Sequence, residues 1–423
     1  MPLPPPHRIV ILGAGFAGLR TGLELLKRRA RLGAAEVTLV DANDEHTYTP
    51  LLYEVAMGCL ESDETAAIRQ MRDGAALAYA DNPFLHRKDG QLKFVQARVT
   101  GVDWEARAVQ LDGKPALPFD DVVLAVGGET NGFNVPGIEE HALSMKTLQD
   151  ALRIRNRLSS AFADMRSGST PSLNVVIVGG GPNGVEAAGE LTHYLRGMVS
   201  KGAIPANRFQ VTLVEAGKEV LGMFAPQMRA LCARRLQALG VTVKTAQRVK
   251  EIRVDGVVTE EGVLPSSVTV WAGGMKPRAL VKDWGFPTDE KGFVPADATF
   301  AVQGMPRAWA LGDAAFLTHP TTKARVPALA QAAAKEAAVL AENITRTLER
   351  KPTVNYVPPA KWNTVVPVGG AWAVADLGFM RITGILGYAC RKAADLLYFV
   401  SILPPVDAVR FWLRGTKAFF RND

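Results

Sequence analysis

Twice in this chain a short, β-branched apolar run breaks into Gly-x-Gly-x-x-Gly and then into a helical pattern, and no other feature limits the fold so tightly. The first copy is Arg8-Ile9-Val10-Ile11-Leu12-Gly13-Ala14-Gly15-Phe16-Ala17-Gly18; the second is Asn174-Val175-Val176-Ile177-Val178-Gly179-Gly180-Gly181-Pro182-Asn183-Gly184-Val185-Glu186. The first glycine of each permits a tight turn, the second lets a ligand approach the backbone, and the third lets helix pack on strand. Phosphates can then lie on the unsatisfied N–H groups at a helix N-terminus. Gly13, Gly15, Phe16, Ala17 and Gly18 therefore form one candidate nucleotide site, and Gly179, Gly181, Pro182, Asn183 and Gly184 a second.

Each copy is followed by a second apolar strand that ends in an acid. Asp41 closes Glu36–Asp41, and Glu215 closes Phe209–Glu215; a carboxylate there can bind ribose hydroxyls. Glu215 also repels a 2′-phosphate, so NADH is expected over NADPH, with Lys218 close by. Two further buried strands end in glycines, Asp120 to Gly128 (with Gly127) and Val268 to Gly274 (with Gly273), either as a close approach to ligand or as simple turns. A third, Ala308 to Ala315, carries Gly312-Asp313, where the aspartate can accept from a ribityl hydroxyl or cap a helix. Alternation across Gln91 to Asp112 suggests a small antiparallel insertion that includes Leu92 to Val95.

This order predicts an α/β fold with two Rossmann-like dinucleotide-binding domains. The first comprises residues 1–145 and 290–346, the second 146–289, and a C-terminal region 347–423 follows. At 423 residues the chain has length for two or three domains with real cores. Cys59, Cys232 and Cys390 lie far apart and form no C-x-x-C or C-x₄-C pair, so a disulfide framework, a metal site or a redox dithiol is not expected. A net charge of +7 suits acidic partners or an anionic membrane surface, and nothing in the pattern points to nucleic acid.

No apolar leader precedes the first strand, and no window reaches the ~18 continuous apolar residues of a transmembrane helix, so a cytosolic or peripheral protein is expected. After Thr383 the character changes. In Val406 to Arg421, Arg410, Arg414, Lys417 and Arg421 fall on one narrow helical face, while Val409, Trp412, Leu413, Phe419 and Phe420 occupy another. That is the pattern of a helix lying in a membrane interface, or of one docked on the protein or at a dimer contact.

Two fingerprints, a late Gly-Asp strand and the missing cysteine pair together resemble the two-dinucleotide-binding-domain flavoproteins of glutathione-reductase-like fold. Within them the chain resembles the type II NADH:quinone oxidoreductases. The residues that carry the likeness are Gly13-x-Gly15-x-x-Gly18 with Asp41, Thr49-Pro50-Leu51-Leu52-Tyr53-Glu54-Val55-Ala56, Gly179 to Glu186 with Glu215, Leu311-Gly312-Asp313-Ala314, and Ala330-Gln331-Ala332-Ala333-Ala334-Lys335. The resemblance implies non-covalent FAD on the first fingerprint, held also by Pro50, Leu51, Gly127, Asp313 and Ala330, and NADH as substrate on the second, with Glu215, Gly273 and Glu186. It implies hydride transfer from nicotinamide to flavin near Glu186, then electron transfer to a membrane quinone near Gln331 and Lys335. It further implies a peripheral, monotopic protein, often a homodimer, on the cytoplasmic face of the cell membrane, and no proton pumping.

The chain departs from the family twice. The last motif usually reads A-Q-x-A-x-Q and here ends in Lys335; the strand ending usually written A-T-G is Ala125-Val126-Gly127. Three other readings are sulfide:quinone oxidoreductase, a soluble NADH-dependent flavoprotein reductase, and a signalling flavoprotein whose NADH-driven change of shape controls assembly. The first needs cysteines beside the flavin, and the second sits badly with a cationic amphipathic end.

Overall fold

The computed structural model describes residues 5–58, 60, 65–86, 91–321 and 325–419. Each β-branched run becomes an inner strand of a five-stranded parallel sheet. In the first sheet the order is Ala308–Ala310, Asp121–Leu124, Arg8–Leu12, Glu36–Asp41, Leu92–Gln96. In the second it is Ala142–Ser144, Val268–Trp271, Leu173–Val178, Phe209–Val214, Thr242–Lys244. Ile9, Ile11, Leu12, Ile177 and Val270 are almost wholly buried, as strands covered on both faces must be. Each such side chain contributes about 1.5–3 kcal/mol relative to exposure.

The helices place the rest. α1 (Phe16–Lys27) follows the first fingerprint; α2 (Leu52–Met57) is short and buried throughout; α3 is Thr65–Ala75. α4 (Leu148–Ser167) starts at a reciprocal cap, in which Thr147 Oγ1 accepts from the Asp150 N–H and Asp150 Oδ2 from the Thr147 N–H. α5 (Pro182–Ser200) follows the second fingerprint and is continuously buried from Gly184 to Leu191. α6 (Pro226–Leu239) packs beside it, and α7 (Ala330–Leu348) lies along α1. The chain ends in α8 (Ile385–Ile402) and α9 (Pro405–Phe419).

The structure corrects the expected insertion. Leu92–Gln96 pairs in parallel with Glu36–Asp41 as the edge of the first sheet, and the antiparallel insertion is Val99–Asp103, Ala108–Leu111 and Lys114–Pro118. A half-covered edge strand of a parallel sheet alternates just as a hairpin strand does, so periodicity alone could not separate them.

α9 also divides differently from the expected faces. Arg410, Arg414 and Lys417 are exposed as their spacing requires, but Val409 and Leu413 are exposed with them. Phe411, Ala418 and Phe419 are buried, and Gly415 stands so close to Gly74 of α3 that a Cβ on Gly74 would lie 2.8 Å from its Cα. Phe420 and Arg421 lie outside the described residues. No helix among the described residues is long and apolar enough to cross a membrane.

Candidate active site

The two fingerprints fold into the same device. Gly13 and Gly179 take left-handed φ values of 98° and 109°, and a Cβ on Gly18 or Gly184 would stand 1.8 or 1.9 Å from the carbonyl oxygen of Gly13 or Gly179. Only glycine fits there. Gly15 and Gly181 begin α1 and α5 without a side-chain cap, and a Cβ on either would meet nothing within 4 Å. Each turn thus leaves an open cradle with helix N–H groups directed into it, which fits a pyrophosphate. Phe16 and Ala17 open α1, and Pro182 and Asn183 open α5, with Asn183 exposed.

The acids at the next strand ends reach back to these turns. Asp41 Oδ2 accepts from the Ala14 N–H at 2.7 Å, and its Oδ1 from the Asn43 backbone N–H and side-chain Nδ2 at 2.9 and 3.0 Å. Glu215 does the same with Gly180 N–H at 2.6 Å and Gly217 N–H at 2.5 Å. A carboxylate has about four acceptor sites, so both keep capacity for ribose hydroxyls. The glycine-ended strands close in from the other side: a Cβ on Gly13 would stand 2.5 Å from Ala125 O, and one on Gly179 would stand 2.6 Å from Ala272 O. Gly127 has a φ of 67° and open space at its Cβ position, whereas a Cβ on Gly273 would strike the Trp271 indole.

The Gly312-Asp313 turn joins the first cradle. A Cβ on Gly312 would stand 3.2 Å from the Ala17 Cβ; the Gly312 N–H donates to Glu336 Oε2 at 2.9 Å, and Asp313 Oδ2 faces Lys146 Nζ at 3.9 Å. Burial pushes the Glu336 carboxyl up to about 7. Ala330 begins α7, whose N-terminus carries no side-chain cap. Gln331 donates to the Asn363 carbonyl at 2.7 Å. Lys335, one turn further on the same side of α7, is exposed.

Glu186 is buried, and the cation beside it comes from the C-terminal helix. Arg391 Nη1 lies 3.9 Å from Glu186 Oε1; the same guanidinium bonds Asp395 Oδ1 through Nε at 2.9 Å and donates through Nη2 to the Pro50 carbonyl at 2.6 Å. Tyr48 donates to Asp395 at 2.8 Å. Next to it, Lys392 Nζ stands 3.5 Å from Glu54 Oε1, which also accepts from Tyr53 at 3.0 Å. Burial pushes the Glu186 carboxyl up to about 8, against the pull of Arg391 and with Asp395 and Glu54 adding to the rise. Glu186 is therefore a protonated acid at neutral pH, able to donate a hydrogen bond. Burial opposes the charge on Arg391, but Asp395 and its other neighbours hold it well above the usual guanidinium range.

A second thread ties α8 to the first cradle. Burial pushes the His46 imidazole down to about 4, so it is neutral. Its Nδ1 faces the Ala14 carbonyl at 3.3 Å and must carry the proton; Nε2 then accepts from Tyr398 at 2.6 Å.

The sequence-predicted residues Gly13 to Gly18, Asp41, Gly127 and Asp313 gather around one cradle, and Gly179 to Gly184, Glu215 and Gly273 around the other. Pro50 and Leu51 sit in a short turn tied to Glu186 by Arg391. Sequence reasoning missed Arg391, Lys392 and Asp395. The available signal was three charges at i, i+1 and i+4 inside the apolar run from Ile385 to Leu403. Cys232 is a free thiol on α6 that burial pushes up to about 12, Cys390 is a free thiol on α8, and Cys59 lies outside the described residues. Among the described residues no three His, Cys, Asp or Glu are placed to hold a metal ion.

Paired cradles of this kind define an oxidoreductase scaffold for two dinucleotides. The chain belongs to the pyridine nucleotide-disulphide oxidoreductase family, whose model matches residues 7–337. It is 30% identical to demethylphylloquinone reductase NdbB of Synechocystis sp., over 93% of this chain and 92% of that protein. It is 27% identical to the type II NADH:quinone oxidoreductase Ndh of Mycobacterium tuberculosis, over 97% and 88%. In fold it is similar to NDH2 from Plasmodium falciparum in complex with NADH, with a TM-score of 0.82, 19% identity and 99% of each chain covered. It is also similar in fold to the sulfide:quinone oxidoreductase of Aquifex aeolicus, with a TM-score of 0.75, 18% identity, and 93% and 90% covered.

A carboxyl whose folded pKa is about 8 against an ordinary 4.5 holds its proton more tightly folded than unfolded, so its contribution is fully present below pH 4.5 and is lost as pH rises towards 8. Thermal stability should therefore fall between pH 5 and 8. Glu186→Gln should flatten that fall, matching wild type near pH 5 and melting later near pH 8. Parallel melting curves at both pH values would show that Glu186 is ionised in the folded protein.

Proposed function

We propose that this protein is a type II NADH:quinone oxidoreductase, carrying two electrons from NADH through non-covalent FAD to a membrane quinone without pumping protons. The observation that supports it most is the pairing of two open glycine cradles, each with a strand-end carboxylate, and a buried protonated Glu186 under the C-terminal helix. FAD belongs to the cradle of Gly13, Gly15 and Gly18, with Asp41 for its ribose and Asp313 for its ribityl chain. NADH belongs to the cradle of Gly179, Gly181 and Gly184, with Glu215 for its ribose. The domains divide as expected from the sequence, 1–145 with 290–346, 146–289 and 347–423, except that Ala142–Ser144 pairs in the second sheet and belongs with 146–289.

Bound FAD supplies the redox chemistry, accepting hydride and releasing electrons. The chain's residues bind, orient and shield. The N-termini of α1 and α5 and the two strand-end acids fix each dinucleotide at both phosphate and ribose. A protonated Glu186 can donate a hydrogen bond to an electron-rich ring that a carboxylate would repel. Gln331 and Lys335, on one side of α7, are the proposed quinone contacts. Cys232, buried and far from thiolate form, suits neither polysulfide nor dithiol chemistry.

The membrane reading rests on the inverted character of α8. Its charges, Arg391, Lys392 and Asp395, are buried, while Ile385, Leu386, Leu397 and Val400 are exposed. Phe379 and Met380 are exposed as well, as are Val406, Val409 and Leu413 on the helix that carries the exposed Arg410, Arg414 and Lys417. An apolar face bordered by cations matches an anionic lipid interface, here the cytoplasmic face of the cell membrane. Protease protection in oriented vesicles tests the sidedness, and light scattering in detergent tests the proposed homodimer.

With FAD bound, the protein should reduce quinone with NADH and not with sulfide. Glu215→Arg should raise the kcat/KM ratio of NADPH to NADH at least about tenfold, the equivalent of one 1.4 kcal/mol contact. An unchanged ratio would remove Glu215 from the ribose. Leu386→Asp with Leu397→Asp should weaken binding to anionic vesicles by about tenfold or more at unchanged melting temperature. Equal vesicle binding by both proteins would mean that α8 faces something other than lipid.

A further inference from the structure

We infer that Phe133 covers the nicotinamide half of the bound dinucleotide, held out for that purpose by a strained turn clamped to the second cradle. The inference rests on the reading of Gly179 to Gly184 as the NADH site. It starts from an anomaly of backbone. Phe133 and Asn134 are adjacent non-glycine residues with φ of 49° and 56°, in the left-handed region that a bulky side chain rarely adopts. Such residues persist only where their surroundings over-determine them, and they concentrate at ligand sites.

The surroundings are specific. The segment leaves strand Gly128–Thr130, which pairs antiparallel with Met275–Pro277, so the exits of the two parallel sheets are fastened to each other here. Asn131 is the clamp. Its Oδ1 accepts from the Phe133 N–H at 2.9 Å, its N–H donates to the Gly274 carbonyl at 3.0 Å, and its carbonyl accepts from Trp271 Nε1 at 2.9 Å. A further bond from the Val135 N–H to the Gly132 carbonyl, at 3.0 Å, closes the turn. Despite this investment in hydrogen bonds, the ring it carries is not buried: Phe133 is 59% exposed.

The ring's position is what gives it a use. Its Cζ lies 3.4 Å from where a Cβ on Gly274 would be, and Gly273 in turn packs on Gly179, at 2.8 Å from a Cβ there to the Gly273 Cα. An exposed aromatic side chain therefore stands two glycines away from the first glycine of the cradle. The strand order then fixes which half of a dinucleotide it can meet. Phe209–Val214, leading to Glu215, lies on one side of Leu173–Val178, and Val268–Trp271, leading to Gly273 and Gly274, lies on the other. With pyrophosphate on the N-terminus of α5 and the adenosine ribose at Glu215, the remaining half must extend towards Gly273, Gly274 and Phe133. That half is the nicotinamide riboside, whose flat ring and sugar face offer an aromatic side chain apolar area and a stacking partner.

A purely structural ring and a ligand-covering ring give opposite results in one variant. Phe133→Gly removes the ring and also relieves the left-handed φ, which glycine adopts freely. On FAD-loaded protein, calorimetric titration should show the Kd for NAD⁺ raised about tenfold, as loss of one aromatic contact implies, with an unchanged Kd for ADP-ribose, which lacks the nicotinamide. The melting temperature should hold or rise. Phe133→Trp should keep NAD⁺ affinity within about twofold of wild type, since its ring also stacks. The inference is overturned if Phe133→Gly leaves the NAD⁺ Kd unchanged, weakens NAD⁺ and ADP-ribose equally, or lowers the melting temperature together with both affinities. Wild type binding neither ligand would instead remove the NADH-site reading, and this inference with it.

Discussion

Arg391 is the contact on which the arrangement of the site depends. A buried guanidinium is tolerated only when its charge and its donors are satisfied; here Asp395, one turn along the same helix, balances the charge, the Pro50 carbonyl accepts from Nη2, and Glu186 lies 3.9 Å from Nη1. The consequence is positional. α8 cannot shift without leaving a buried guanidinium donor unsatisfied, because the Pro50 carbonyl that accepts from it lies on another segment. Because α8 also carries Tyr398, which reaches the first cradle through His46, one helix registers against both nucleotide turns. Its outer side is left apolar because its charges are used inside.

The two halves of the molecule use one local solution and diverge in what covers it. Gly13 with Asp41 and Gly179 with Glu215 are built alike, down to a carboxylate oxygen that accepts a backbone N–H of the turn. The first half adds Asp313, with Glu336 behind it, and the neutral His46. The second half adds Glu186, kept protonated by burial, at the start of the helix that follows its own turn. Duplication accounts for the fold, and these unlike additions account for a division of labour between a resident cofactor and a passing substrate.

Much of this was legible in the sequence because glycine cradles are local. A turn with positive φ and a third glycine packed on a carbonyl depends on residues within about one helical turn, so Gly13 to Gly18 and Gly179 to Gly184 announce themselves. What the sequence did not disclose depends on distant packing. Leu92–Gln96 alternates like a hairpin strand, and only its neighbour Glu36–Asp41 makes it parallel. The motif position Lys335 is exposed, whereas the buried carboxyl on that turn of α7 is its neighbour Glu336, and the buried cation beside Glu186 is Arg391. Charges in an apolar helix are visible as letters, but which way they face is set by partners more than two hundred residues away.

On the proposed function, electrons given by NADH leave to a quinone through this same chamber. This is tested most directly by reducing the FAD-loaded protein with one equivalent of NADH in a stopped-flow cell, then mixing with quinone and following flavin reoxidation. Reoxidation should accelerate with quinone concentration and keep pace with steady-state turnover. Slow reoxidation at a rate indifferent to quinone would contradict the proposed function, and would favour a flavoprotein that senses NADH without passing its electrons on.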